Sequence, residues 1–193
     1  MRNLVFASAN KNKVLEVSRK LRGNVTLLGL SDIGCTDEIP ETNPTIEGNA
    51  RQKARYIFDH YHVDCFADDT GLEVFELNSE PGVLSARYAG AQRSDSDNID
   101  LLLRNLEGSH SRKARFRTVV CLILDKQEYF FEGIVEGHIL ENRRGQDGFG
   151  YDPIFVPDGE TRTFAEMTVD EKNELSHRGK AIQKLALFLK AWM

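Results

Sequence analysis

The chain has 193 residues, 40% of them hydrophobic and 28% charged, with a net charge of −5. That balance describes one globular domain, or two lobes sharing a core, and excludes a disordered chain. It also weighs against a nucleic-acid binder, whose affinity rests on a basic surface, while leaving room for a local basic pocket holding a small phosphorylated ligand. Apolar runs such as Val119 to Leu124 are too short to span a bilayer, and the N-terminus has no extended secretory h-region. The expectation is a cytoplasmic protein that engages neither membrane nor nucleic acid. Cys35, Cys65 and Cys121 form no CxxC or Cys/His cluster and read as reduced thiols rather than as disulfides or a zinc site.

In chain order, a short apolar strand over residues 4–8 hands over through Ala9-Asn10-Lys11-Asn12-Lys13 to a helix with Val14, Val17 and Leu21 at helical spacing, stopped by Gly23. A second helix over residues 46–61 carries Ala50, Ala54, Ile57, Phe58 and Tyr61 on one face. Cys65-Phe66-Ala67 predicts a strand ending at Asp68-Asp69-Thr70-Gly71. Ser94 or Asp95 can cap a third helix carrying Ile99, Leu102, Leu103 and Leu106. Residues 115–125 alternate as a strand, and residues 128–140 continue after Asp125-Lys126-Gln127 as its hairpin partner. A loop over residues 143–164 precedes a last helix over residues 176–192, with Ile182, Leu185, Ala186 and Leu189 inward. Helices mixed with long antiparallel strands imply an α/β or α+β fold with a mixed sheet.

Four stretches carry chemistry. Ser8 to Lys13 joins a strand to a helix N-terminus, where backbone N–H groups and the positive dipole end suit a phosphate, with Lys13 in the first turn; an ordinary capped helix start is the plainer alternative. It is no P-loop, because no GxxxxGK[ST] is present. At Asp68-Asp69 one carboxylate can bind a metal or take a proton from water while its neighbour orients it; an acidic turn is the rival. Gly148-Phe149-Gly150-Tyr151-Asp152-Pro153 can present Phe149 as a plate for a flat base, with Asp152 accepting from ring N–H groups, or can be a turn with an aromatic anchor. Ser176 suits an N-cap, which puts His177 and Arg178 in a first turn where cations are disfavoured; with Lys172 nearby they suggest an anionic or keto partner, or solvated charges. Arg87 and Lys53 read as ordinary surface charges, each able to reach a phosphate.

Together and in this order, the segments Ser8-Ala9-Asn10-Lys11-Asn12-Lys13, Phe66-Ala67-Asp68-Asp69-Thr70-Gly71-Leu72, Pro81-Gly82-Val83-Leu84-Ser85-Ala86-Arg87-Tyr88, Gly148-Phe149-Gly150-Tyr151-Asp152-Pro153 and Ser176-His177-Arg178-Gly179-Lys180-Ala181 closely resemble the inosine/xanthosine triphosphate pyrophosphatase family, from residue 3 to about residue 190. The resemblance implies one catalytic domain over residues 1–193, with an elongated two-lobed α/β fold, a long central mixed β-sheet flanked by helices and the active site in the inter-lobe cleft. It implies a homodimer, a Mg²⁺ cofactor, and hydrolysis of ITP, dITP or XTP to a monophosphate and pyrophosphate. By the same resemblance, Ser8, Ala9, Asn10, Lys11, Asn12 and Lys13 hold the triphosphate, Asp69 is proton acceptor and metal ligand, and Thr70 touches substrate. Phe149, Gly150, Tyr151, Asp152, Lys172, His177 and Arg178 form the set that recognises the base and clamps the nucleotide.

The chain departs from that pattern at Glu47-Gly48-Asn49-Ala50, where many relatives carry a metal-binding glutamate in place of Gly48. Glu47, Glu41 or Asp68 is left to complete the site, or water is. Selectivity is expected from the acceptor oxygen at C6 of hypoxanthine and xanthine, which Arg178, Lys172 or backbone N–H groups can donate to and which adenine lacks. The rival readings are a Maf-like pyrophosphatase of other base specificity and a non-catalytic nucleotide-binding module.

Overall fold

The structure is a computed structural model, and it describes residues 2–192. Its strands are β1 (Asn3–Phe6), β2 (Thr26–Leu28), β3 (Cys65–Val74), β4 (Glu80–Gly82), β5 (Lys113–Leu124), β6 (Gln127–Ile139) and β7 (Phe155–Pro157). Its helices are α1 (Lys11–Leu21), α2 (Ile46–Tyr61), α3 (Asp95–Asn105), α4 (Val169–Leu175) and α5 (His177–Trp192). Hydrogen bonding orders the strands β2-β1-β3-β5-β6-β7, with β4 also on β3. The sheet is mixed, as expected: β1 runs parallel to β2 and β3, whereas the β3–β4 and β6–β7 pairs are antiparallel.

The chain divides into two compact units. Among the described residues, the first comprises residues 2–69, 118–133 and 178–192, the second residues 70–117 and 134–177. In the first, Leu4 and Phe6 from β1, Val17 and Leu21 from α1, and Leu185 and Leu189 from α5 share one core, in which the Phe6 and Phe66 rings stack at 4.7 Å. In the second, Leu72 and Val74 pack with Leu102 of α3, Phe116 of β5 and the rings of Phe155 and Phe164. The β5–β6 turn is Asp125-Lys126, both at positive φ. Two residues of that kind give a hairpin turn whose twist matches its strands.

Two expectations need correcting, and one helix was not expected. The strand that begins at Cys65 does not stop at the Asp68-Asp69-Thr70-Gly71 stretch but continues to Val74. Leu72, Glu73 and Val74 find a partner in β4, so a run that looks like an acidic turn is the middle of a nearly continuously buried strand. The expected loop over residues 143–164 contains β7 and a 3₁₀ turn at Asp152–Ile154. At three residues each, these are too short to leave a period. Finally, α4 precedes the last helix. Thr168 and Glu171 form a capping box at its start, a Thr-x-x-Glu signal that was readable in the sequence.

Candidate active site

In the first unit the chemistry gathers around Asp68 and Asp69 on β3. Asp68 is fully buried and accepts from Lys13 Nζ at 3.2 Å through Oδ1 and from Arg178 Nε at 2.9 Å through Oδ2. Arg178 reaches on to Glu16 Oε2 of α1 at 2.5 Å. Burial alone would raise the Asp68 carboxyl, but Lys13, Arg178 and Lys53 outweigh it and hold the group well below the usual carboxylate range. Burial likewise opposes the Arg178 charge, and Asp68 and Glu16 more than offset it. For Lys13 burial wins over Asp68, pushing the ammonium below the ordinary lysine value.

Asp69 is placed differently. Its Oδ1 lies 3.5 Å from Lys53 Nζ, while its Oδ2 is buried and has no hydrogen-bond partner among the described residues. Burial raises its pKa despite the nearby charges of Lys53 and Lys13. A buried carboxylate oxygen without a donor is costly to keep and is a natural place for a proton, a water or a cation. Lys53 also donates to Glu41 Oε1 at 2.5 Å. It is buried, which overturns its reading as a surface charge. The sequence held the signal: Lys53 stands three residues after Ala50 and four before Ile57, on the apolar face of α2.

These neighbours narrow the candidates for completing a metal shell. Glu47 is exposed beside Arg51 at 4.0 Å, and Asp68 already serves Lys13 and Arg178. Glu41 shares an ammonium with Asp69. A Cβ on Gly48 would fall 2.8 Å from both Asn43 Cβ and Thr45 Oγ1, so a glutamate there would have to displace the segment that caps α2. Among the described residues no group of three His, Cys, Asp or Glu side chains is arranged to hold a metal. Magnesium needs no such cage, because it binds through one or two carboxylates together with phosphate oxygens and water. Asp69, with its open oxygen, and Glu41 fit that requirement.

At the start of α1, Asn10 Oδ1 accepts from the amides of Asn12 (3.0 Å) and Lys13 (3.2 Å), and Ser8 Oγ accepts from the Asn10 amide at 3.3 Å. The helix start is therefore capped internally rather than left open as expected. The first turn holds Lys11 and Lys13 and no acidic residue, an electrostatically unfavourable pairing with the dipole unless an anion joins them. Ala9, Asn10, Lys11 and Asn12 are exposed, while Ser8 and Lys13 are half-buried.

The second unit assembles another group. Lys172 Nζ lies 2.6 Å from Asp152 Oδ2 and 4.5 Å over the Phe149 ring. The same Oδ2 accepts from the Phe149 amide at 2.9 Å. Gly148 has φ +79°, and a Cβ there would meet Asp152 Oδ2 at 2.2 Å, so both backbone and space demand glycine. Gly150 donates its amide to Asp95 Oδ2 at 2.7 Å. Tyr151 is a core anchor whose hydroxyl donates to the Ser85 carbonyl at 2.9 Å. His177 is buried edge-on to Phe116, with ring centroids 4.5 Å apart. Thr70 is half-buried in β3 directly after Asp69.

The expected residues thus fall into two sets. Lys13, Asp68, Asp69 and Arg178 belong to the first unit, while Phe149, Asp152, Lys172 and His177 belong to the second. Arg178, expected at the base, has its guanidinium on Asp68 and Glu16. Sequence reading missed Glu16, although it follows Lys13 by three positions and lies beside the apolar Val17.

A mixed α/β sheet whose buried central strand carries two carboxylates, with lysines and an arginine drawn around them, defines the class: an α/β protein with a charged centre in its strand layer. Residues 4–188 match the Ham1 family. The chain is 54% identical over 187 residues to the dITP/XTP pyrophosphatase of Flavobacterium psychrophilum, covering 97% of this chain and 98% of that one. With the dITP/XTP pyrophosphatase of Flavobacterium johnsoniae it is 53% identical over 188 residues, covering 97% and 98%. The solved Ham1 protein of Staphylococcus aureus superposes with a TM-score of 0.90 at 36% identity over the full length of both chains. The chain belongs to the Ham1 family.

Proposed function

We propose that the chain is a Mg²⁺-dependent nucleoside-triphosphate pyrophosphatase that takes ITP, dITP and XTP to the monophosphate and pyrophosphate. The single observation that carries this reading is the buried, unpartnered Oδ2 of Asp69, set among Lys53, Lys13 and Glu41. Its relatives' names and its residues agree on a phosphoanhydride as the bond broken.

Asp69 Oδ2, buried and without a donor among the described residues, accepts the proton of the attacking water. Lys13, in the first turn of α1, meets the phosphate oxygens, and Asp68, itself fixed by Arg178, holds its ammonium in place. Asp69 and Glu41 would hold magnesium, which supplies charge neutralisation at the phosphates and a more acidic water. Phe149 offers a stacking face, and Lys172 a donor for an acceptor oxygen at C6. Thr70 and His177 flank these groups in sequence and complete the substrate set.

No described helix is long and apolar enough to cross a membrane, and Cys35, Cys65 and Cys121 are buried free thiols. Both fit a cytoplasmic enzyme, which we expect to act as a homodimer. The test is a nucleotide panel read by pyrophosphate release, with magnesium and with a chelator. ITP, dITP and XTP should exceed ATP and GTP in kcat/KM, by up to about 10⁴-fold where unpaired buried donors reject adenine. Chelator should abolish turnover. Equal kcat/KM for ITP and ATP would remove the selectivity claim, and unimpaired turnover in chelator the metal claim.

A further inference from the structure

Lys53 has no assigned part in the reaction, yet its ammonium is buried between two carboxylates. It lies 2.5 Å from Glu41 Oε1 and 3.5 Å from Asp69 Oδ1. Glu41 precedes α2 and Asp69 sits on β3, so two separate segments deliver their carboxylates to one cation. Those carboxylates are the pair proposed above to hold magnesium. A buried carboxylate, Asp69, and a half-buried one, Glu41, that meet at one point repel each other unless a positive charge lies between them. A lysine suits that post, because its ammonium is a compact point charge on a flexible stem that can leave it again.

We propose that Lys53 is a built-in stand-in for the divalent ion: its ammonium bridges Glu41 and Asp69 while the site lacks metal and yields them when the ion binds. The inference rests on the reading of Glu41 and Asp69 as the metal pair. The ion competes with an internal cation, so its apparent affinity is lowered by the fraction of molecules in which Lys53 still occupies the carboxylates. The displaced ammonium is then free to meet a phosphate oxygen of the substrate, so nucleotide and metal should each tighten the other.

The experiment is direct Mn²⁺ binding to the purified full chain without nucleotide, measured by the electron-spin-resonance signal of free Mn²⁺. Lys53→Met and Lys53→Gln should bind Mn²⁺ about tenfold or more tightly than the unaltered protein, because the competitor is gone. Lys53→Arg should stay near the unaltered protein. Lys13→Met, whose ammonium lies on Asp68 instead, should tighten binding by less than about threefold through the field alone. Thermal unfolding with and without Mn²⁺ covers poor folding: the neutral Lys53 variants should gain more Tm from Mn²⁺ than the unaltered protein does. Equal or weaker Mn²⁺ binding by both neutral variants overturns the proposal, as does equal tightening by Lys13→Met. Failure of the unaltered protein and every variant to bind Mn²⁺ would instead overturn the metal pair itself.

Discussion

In the first unit three cations face two adjacent carboxylates, and one carboxylate oxygen, Asp69 Oδ2, is still left without a donor. In the second unit the buried ammonium of Lys172 is matched on one side by Asp152 and on the other by the Phe149 ring. One arrangement keeps a reactive oxygen open. The other spends its polar atoms on fixing the orientation of a ring and a donor. On the function proposed above, we propose a division of labour in which the first unit runs the chemistry and the second chooses the base.

The largest effect that can break this division is at Asp69. Asp69→Asn removes the proposed proton acceptor and one carboxylate of the proposed magnesium pair while keeping the side chain's shape, and kcat at saturating magnesium should fall by about 10²–10⁴-fold. KM should change little, measured as pyrophosphate release from ITP. A mutant with near-normal kcat would place the chemistry elsewhere. Next is stability. Arg178→Met leaves Asp68 and Glu16 buried without their shared cation, a loss of about 3–5 kcal/mol, read from denaturant unfolding. If stability is unchanged, the guanidinium is not held by those two carboxylates.

A smaller effect is expected in the second unit. Phe149→Ala should weaken nucleotide binding by about 1–3 kcal/mol, the usual worth of a base–aromatic stack, appearing in KM with kcat largely kept. A loss confined to kcat would sink the stacking role. The smallest concerns the thiols: burial pushes Cys65 and Cys121 up to about 12. Since the thiolate is the reactive form, both should resist a disulfide reagent near pH 8 until the chain unfolds. Rapid reaction of the folded protein would show that the interior around them opens.

Much of the fold was legible because its helices are amphipathic and its long hairpin alternates. α2 begins and ends at its sequence-read bounds, with Thr45 accepting from the Gly48 amide at its start. What stayed hidden has a physical cause. β4 and β7 are too short for a period, and β3 reads as ending at two aspartates because acidic residues rarely occupy a buried strand. The candidate site was legible as segments but not as partnerships. Lys13 and Asp68 are separated by 55 positions and Arg178 and Glu16 by 162. Spacing along a chain says nothing about which distant charges meet, so Glu16 went unnoticed and Lys53 passed for a surface charge.

The division of labour is tested most directly by the ratio of kcat/KM for ITP to that for ATP in two variants, Lys13→Met and Lys172→Met. Lys13→Met should depress turnover of both nucleotides by about 10²–10³-fold, as loss of a charge-stabilising group does, and leave the ratio unchanged. Lys172→Met should lower the ratio by on the order of tenfold or more, because the donor for the C6 oxygen is gone. A ratio that survives Lys172→Met and collapses in Lys13→Met would contradict the assignment of chemistry to the first unit and selectivity to the second.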